Sequence, residues 1–292
     1  MDILQAIVLG LVQGTTEFIP VSSSAHLVLV PWLLRWPGPG LAFDTVLHLG
    51  TLLAVLTVFW RDFTALAVSW WRNTMSALVR RDSVHSAEAD AELGRLGIPH
   101  RSDTLQARLA WWIILGTIPA ALMGMLWEEQ FEALFHSPFR VAVLLLGTGL
   151  WLTFAERLGG KSRQAEDMRW WQALLIGLAQ GGAIAPGISR SGATIGAGLL
   201  LGLRREAATR LSFLLATPII FGAGILQVKR LLESPNLQAS LLPLALGFGG
   251  AFLSGYACIR FLLNYVKQRS LLVFAVYCWV IGLGTIAFYL LR

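Results

Sequence analysis

Cysteine and charge are both scarce in this chain, and each scarcity excludes something. The only two cysteines, Cys258 and Cys278, stand in apolar stretches. They offer neither a disulfide framework nor a metal-ligand spacing, and read as small apolar residues. Charged residues make up 14% of the 292, against about 25% in a soluble domain. Hydrophobic residues reach 55% and mean hydropathy +0.64, so a soluble enzyme is excluded and an integral membrane protein is expected. The first residues, Met1-Asp2-Ile3, lack a basic segment, and the apolar run after them is broken by Gln13 and Glu17. The start is therefore expected to stay, not to be cleaved as a signal peptide.

What is present is a succession of apolar segments near the length of about 20 residues that a membrane-spanning helix needs. Clean spans are expected at Phe43–Trp60, Gln106–Trp127, Arg140–Ala155, Leu211–Val228, Ser240–Ile259 and Leu271–Leu291. Two further regions are apolar but interrupted, 2–36 and 171–203. The expectation is an all-α polytopic membrane protein with about six full transmembrane helices plus two re-entrant helical hairpins. It forms one integral membrane domain over 1–292, with a polar cytoplasmic loop at 72–106.

The interrupted regions are related. Shifting the chain by 167 residues lays Gly10-Leu11-Val12-Gln13-Gly14 on Gly177-Leu178-Ala179-Gln180-Gly181. The same shift lays Val21–Ser24 on Ile188–Ser191 and Leu47–Ala54 on Leu214–Phe221. Broken segments in corresponding halves point to hairpins that meet at a binding site near the bilayer midplane. The two repeats run over about 1–155 and 170–292. If each hairpin enters and leaves on one face, the loops at 61–108, 156–169, 204–210 and 260–269 share a side and hold 17 of the 23 Lys and Arg. The opposite side holds Arg35, Arg140, Lys229, Arg230 and Arg292. The basic side is expected to be cytoplasmic, with both termini outside and the repeats inverted. Scattered over loops, the net charge of +6 reads as topology determination and not as a nucleic-acid surface. Trp36, Trp60, Trp70, Trp71, Trp127, Trp170 and Trp171 fall near span ends, as an interfacial belt requires.

Polar groups inside apolar segments are costly and mark functional candidates. Among the 17 acidic residues only Glu17 lies deep within an interrupted segment, one helical turn after Gln13. That pair offers oxygen ligands for a hard divalent cation, Mg²⁺ or Ca²⁺; the alternative is hydrogen bonding to neighbouring helices. Pro20 ends a half-helix, and Ser22 and Ser23 open the next, either as simple caps or as an anion site on free backbone N–H groups. His26 follows within a turn. Ser23 is the expected nucleophile and His26 its acid–base partner. Arg190 suits bidentate binding of phosphate, with Ser189, Ser191 and Thr194 as further donors; the alternative is an ion pair with Glu17. His48 is expected to make a bond between helices, and Asp44 to act similarly. A cation site, a hydroxyl, a proton carrier and an arginine suit phosphoryl transfer on a substrate whose other end is lipid.

These residues resemble the undecaprenyl-diphosphate phosphatase family, also called bacitracin resistance proteins, along nearly the whole chain. The family's first motif, Glu or Gln, three residues, then Glu, stands here as Gln13-Gly14-Thr15-Thr16-Glu17, leading into Pro20-Val21-Ser22-Ser23 and His26. Its second, Pro-Gly-x-Ser-Arg-Ser-x-x-Thr, is filled at every fixed position by Pro186–Thr194. The span text Phe43–Thr51 is similar as well. The resemblance implies removal of the terminal phosphate from a C55 polyprenyl diphosphate at the outer face of a bacterial plasma membrane. Recycling of the carrier for peptidoglycan synthesis and bacitracin resistance would follow. It implies that Glu17 is the metal-linked acid, that Ser23 or His26 is the nucleophile, and that Arg190 binds phosphate. Gln at position 13, where a variant of the motif has Glu, speaks against a role for that side chain as a base. A polyprenyl-phosphate transporter using the same pocket is the competing reading. The oligomeric state stays open, a homodimer included.

Overall fold

The computed structural model describes residues 2–79, 103–232 and 237–292. They form twelve α-helices and one 3₁₀ turn, with no β-strand among the described residues. Helix α1 (Ile3–Phe18) begins at Asp2, whose carboxylate accepts from the N–H groups of Leu4 and Gln5 while Gln5 returns a bond to the Asp2 N–H. Pro20 cannot continue it, and after four residues α2 (Ser23–Leu34) starts with Ser22 as its cap. Ser22 holds φ at +68°, a strained setting for a residue with a side chain. The second hairpin repeats the plan. Helix α8 (Trp170–Gly182) gives way near Pro186, and α9 (Arg190–Leu200) starts with Ser189 as its cap.

The six expected spans are all helical: α3 (Gly40–Val58), α5 (Asp103–Leu126), α7 (Pro138–Leu158), α10 (Arg205–Leu232), α11 (Leu237–Tyr265) and α12 (Leu272–Leu291). Five of them are long and apolar enough to cross a bilayer by themselves; α3 qualifies as a bent pair with α4 (Trp60–Val79), at 75°. Their outward faces carry Leu150, Leu253, Val280 and Leu290, each more than 60% exposed. Apolar surface on that scale needs lipid against it, so the chain is a multi-pass membrane protein. Trp60, Trp127 and Trp170 stand exposed at helix ends, where an aromatic belt sits.

Helix α4 was not anticipated. The sequence reads as a span ending at Trp60 and a polar loop from Arg72, yet the chain turns and continues as a helix along α5. Ala65, Leu66 and Ser69, at helical spacing, are buried, and Ser69 donates to Gln106 Oε1 at 2.9 Å. Residues 80–102, most of the expected cytoplasmic loop, lie outside the described residues. The short helix α6 (Glu128–Phe135) carries the acidic cluster Glu128, Glu129 and Glu132 and buries none of its residues.

The two hairpins are packed in corresponding ways. Helix α1 lies along α11 and α8 along α5, so each hairpin leans on a span of the other half. Backbones touch at both crossings: a Cβ on Gly10 would fall 2.4 Å from the Gly247 oxygen, and one on Gly177, 167 residues on, 2.2 Å from the Gly116 oxygen. Small residues at such crossings let helices pack without side chains between them. Phe18, at the end of α1, meets Phe213 of α10 edge-on at 5.2 Å, anchoring the hairpin tip in the core. Both cysteines pack there too. The thiol of Cys258 donates to the Thr15 carbonyl and that of Cys278 to the Pro20 carbonyl, beside the helix break.

Candidate active site

Two helix breaks bring the site together. The tip of the first hairpin meets that of the second, where Ser191 Oγ donates to the Ile19 carbonyl at 3.2 Å. The second tip is held from α7: Thr148 Oγ1 donates to the Gly187 oxygen at 2.9 Å and accepts from the Ser189 N–H at 3.0 Å. Arg190, first residue of α9, is thereby aimed across at α1. Its Nη2 donates to Glu17 Oε1 at 2.8 Å. The same carboxylate accepts at Oε2 from Ser23 Oγ at 2.5 Å and from Gln13 Nε2 at 3.0 Å. Glu17 is buried, its side chain 4% exposed, so three donors take the place of water around it.

Beside this cluster opens a cavity of about 300 Å³. Its polar wall is formed by Glu17, Ser22, Ser23, Ser24, Asp44, Thr45, His48, Ser189 and Arg190. Leu49, Phe135, Ile184, Ile188, Ile219 and Ile220, with Ala183, Ala223 and Gly224, supply the apolar remainder. Arg190 lines the cavity, and its Nη1 is buried with no hydrogen-bond partner among the described residues. One arm of the fork therefore holds Glu17, and the other is a charge-bearing donor still to be satisfied.

The expected residues divide into three groups. Glu17, Ser22, Ser23, Ser189 and Arg190 line the cavity. Gln13, Ser191 and Thr194 lie behind it. Gln13 turns Nε2 toward Glu17 and leaves Oε1 buried, without a partner among the described residues. Thr194 hydrogen-bonds Ser212 at 2.6 Å and its own helix, bracing α9 against α10. His26 faces elsewhere: its Nδ1 bonds to the Ser22 carbonyl at 2.8 Å, its Nε2 to the Tyr277 hydroxyl at 2.8 Å, and the two rings stack. A carbonyl only accepts, so Nδ1 carries the proton and Nε2 accepts from Tyr277. Ser23 and His26, expected as partners, therefore hydrogen-bond to different groups. Capture of Nδ1 by the carbonyl one turn back swings the ring toward α12, while Ser23 is held by Glu17.

The sequence reading missed the part played by α3. Asp44, Thr45 and His48 line the cavity, and the contact between helices expected of His48 is made to Glu17 of α1. His48 donates from Nδ1 to the Asp44 carbonyl at 2.8 Å and brings Nε2 to 3.7 Å from Glu17 Oε2. The signal was the spacing of four between two polar residues inside a span, which places both on one helix face.

No group of three or more His, Cys, Asp and Glu is arranged to hold a metal among the described residues. The oxygens that face the cavity fit a divalent cation in another manner. Mg²⁺ typically takes one or two carboxylates and completes its shell with substrate phosphates. Glu17 lines the cavity and suits that role; Gln13 lies behind the wall, with its amide nitrogen toward Glu17 and its Oε1 without a partner among the described residues.

Known proteins bear on this geometry directly. The family model for bacitracin resistance protein BacA matches residues 6–284. A protein of Moorella thermoacetica named undecaprenyl-diphosphatase is 43% identical, with 100% of both chains covered. Proteins of the same name from Methanosphaera stadtmanae and Geobacter metallireducens are 44% and 43% identical, over 98% and 99% of this chain and 98% of each relative. With two carboxyls, four serines and an arginine on the wall of one cavity, and with relatives matched from end to end, the chain belongs to the bacitracin resistance protein BacA family.

Proposed function

We propose that this protein hydrolyses undecaprenyl diphosphate to undecaprenyl phosphate and inorganic phosphate. The observation that carries the reading is the Glu17 carboxylate with Ser23 on one oxygen and Arg190 on the other, beside a cavity within the membrane domain. The relatives' name, undecaprenyl-diphosphatase, supports it. The other arm of Arg190 would bind the diphosphate while Nη2 stays on Glu17, so the guanidinium is placed before chemistry begins.

Ser23 Oγ attacks the terminal phosphorus and its proton passes to Glu17, already in contact. The bond from that phosphorus to the bridging oxygen breaks, and the lipid monophosphate leaves. Water then attacks the phosphoserine, and Glu17 returns its proton to Ser23 as inorganic phosphate departs. Between the two steps Glu17 serves first as base and then as acid. A divalent cation held by Glu17, when bound, would neutralise charge on the phosphate oxygens. His26, turned toward Tyr277, holds α2 against α12 in this scheme.

The distribution of basic residues supports a site open to the outer face of the plasma membrane, with both termini on that side and the two halves inverted. Hydrolysis there would recycle the lipid carrier for peptidoglycan synthesis and confer bacitracin resistance. The corresponding packing of the hairpins favours one second reading, movement of a polyprenyl phosphate across the bilayer by the same pocket. Purified protein in detergent, given a short prenyl diphosphate, should release phosphate, and faster with Mg²⁺ than without it. Lipid scrambling in vesicles without any hydrolysis would instead establish the transporter.

A further inference from the structure

Helix α1 brings one carboxylate to the cavity, Glu17, and α3 brings a second, Asp44. We infer that Asp44 is the second carboxylate of a divalent-cation site, shared with Glu17 and completed by the oxygens of a bound diphosphate. This rests on the phosphatase reading only for the identity of that diphosphate.

Asp44 and Glu17 line the same cavity from two different helices. His48 ties them together, with Nδ1 on the Asp44 backbone and Nε2 near Glu17 Oε2. Asp44 Oδ1 is buried and has no hydrogen-bond partner among the described residues. A buried acceptor left in that condition is costly, and a hard cation is the kind of ligand that satisfies it.

Glu17 can give an ion one bond at most. Its Oε1 already accepts from Arg190, and its Oε2 from both Ser23 and Gln13. A carboxylate has about four lone-pair sites, so one at most remains. The two carboxyls share the wall with Arg190 and His48, both of which approach Glu17, and a cation would offset the like charges of Glu17 and Asp44. Two carboxylates plus phosphate oxygens is the shell that Mg²⁺ commonly accepts.

The test reads binding and does not depend on turnover. The purified full chain, in detergent with a short prenyl methylenediphosphonate that cannot be hydrolysed, is titrated with Mn²⁺, and free Mn²⁺ is followed by electron paramagnetic resonance. Wild type is expected to take up one Mn²⁺. Asp44→Asn, which keeps volume and removes charge, should weaken that uptake at least about tenfold. Asp44→Glu should bind and Asp44→Gln should not, a comparison that stands even if the Asn variant fails to fold. Unchanged Mn²⁺ affinity in the amide variants, or no uptake by wild type, overturns the inference. A wild-type chain that binds Mn²⁺ through Asp44 but releases no phosphate from a prenyl diphosphate would sink the phosphatase reading and leave the cation site standing.

Discussion

Arg190 and Glu17, 173 residues apart, meet at 2.8 Å and join the tips of the two hairpins. The ion pair expected as the alternative to phosphate binding is therefore present, and the proposed function gives Arg190 both tasks. One arm of the guanidinium is on Glu17 and the other is unpaired among the described residues.

That division of labour makes Arg190→Lys informative. Lysine keeps the charge but cannot reach in two directions at once. Phosphate release from a prenyl diphosphate is expected to fall by about 10²–10³-fold, with thermal unfolding in detergent near that of wild type. Arg190→Ala should in addition lower stability by about 3–5 kcal/mol, because it leaves Glu17 buried without its counter-charge. Near-normal turnover of the lysine variant would remove the phosphate-binding role and leave only the structural one.

Ser23 and Glu17 act together in the proposed chemistry, so their variants should not add. Ser23→Ala should abolish turnover, and Glu17→Gln should also abolish it without rescue by raised Mg²⁺. The double variant should be no worse than either single one, as for residues that work as a unit. Stepwise losses that multiply would show that Glu17 does not act through Ser23.

Much of this arrangement was legible in the sequence. Six spans, both hairpins and the meeting of Glu17, Ser23 and Arg190 follow from apolar length, from Pro20 and Pro186, and from polar residues placed where hydrocarbon penalises them. Three features were not legible. The bend after α3 turns on Phe59 and Trp60, and α4 follows because Ala65, Leu66 and Ser69 find a partner in α5, a tertiary fact. The direction of His26 is set by the Ser22 carbonyl and by Tyr277, which is 251 residues away. Asp44 and His48 read as span residues, since only the packing of α3 beside α1 turns their shared face into a cavity wall.

The His26–Tyr277 bond offers a separate check on that geometry. It is 2.8 Å long, partly buried, and links α2 to α12. Tyr277→Phe and His26→Ala should each destabilise the protein, and a double-mutant cycle on thermal or denaturant unfolding should give a coupling of about 0.5–1.5 kcal/mol. Additive effects would mean that the histidine ring does not rest on Tyr277.

The matched helix crossings give the last prediction. Gly10 on α1 and Gly177 on α8 stand at corresponding positions of the two halves, each against a backbone oxygen of a span. A Cβ at either position would lie 2.4 or 2.2 Å from that oxygen, well inside contact distance, and backbone cannot give way as a flexible side chain can. Gly10→Ala and Gly177→Ala should therefore each force the hairpin outward and cost about 1–3 kcal/mol. The hairpins carry Glu17 and Arg190 at their far ends, so the same outward shift should separate the pair and depress phosphate release. Gly249, which has open space where a Cβ would go, is the control: Gly249→Ala should leave both stability and rate near wild type. Equal tolerance at all three positions would show that the close crossings are not what sets the hairpins in place.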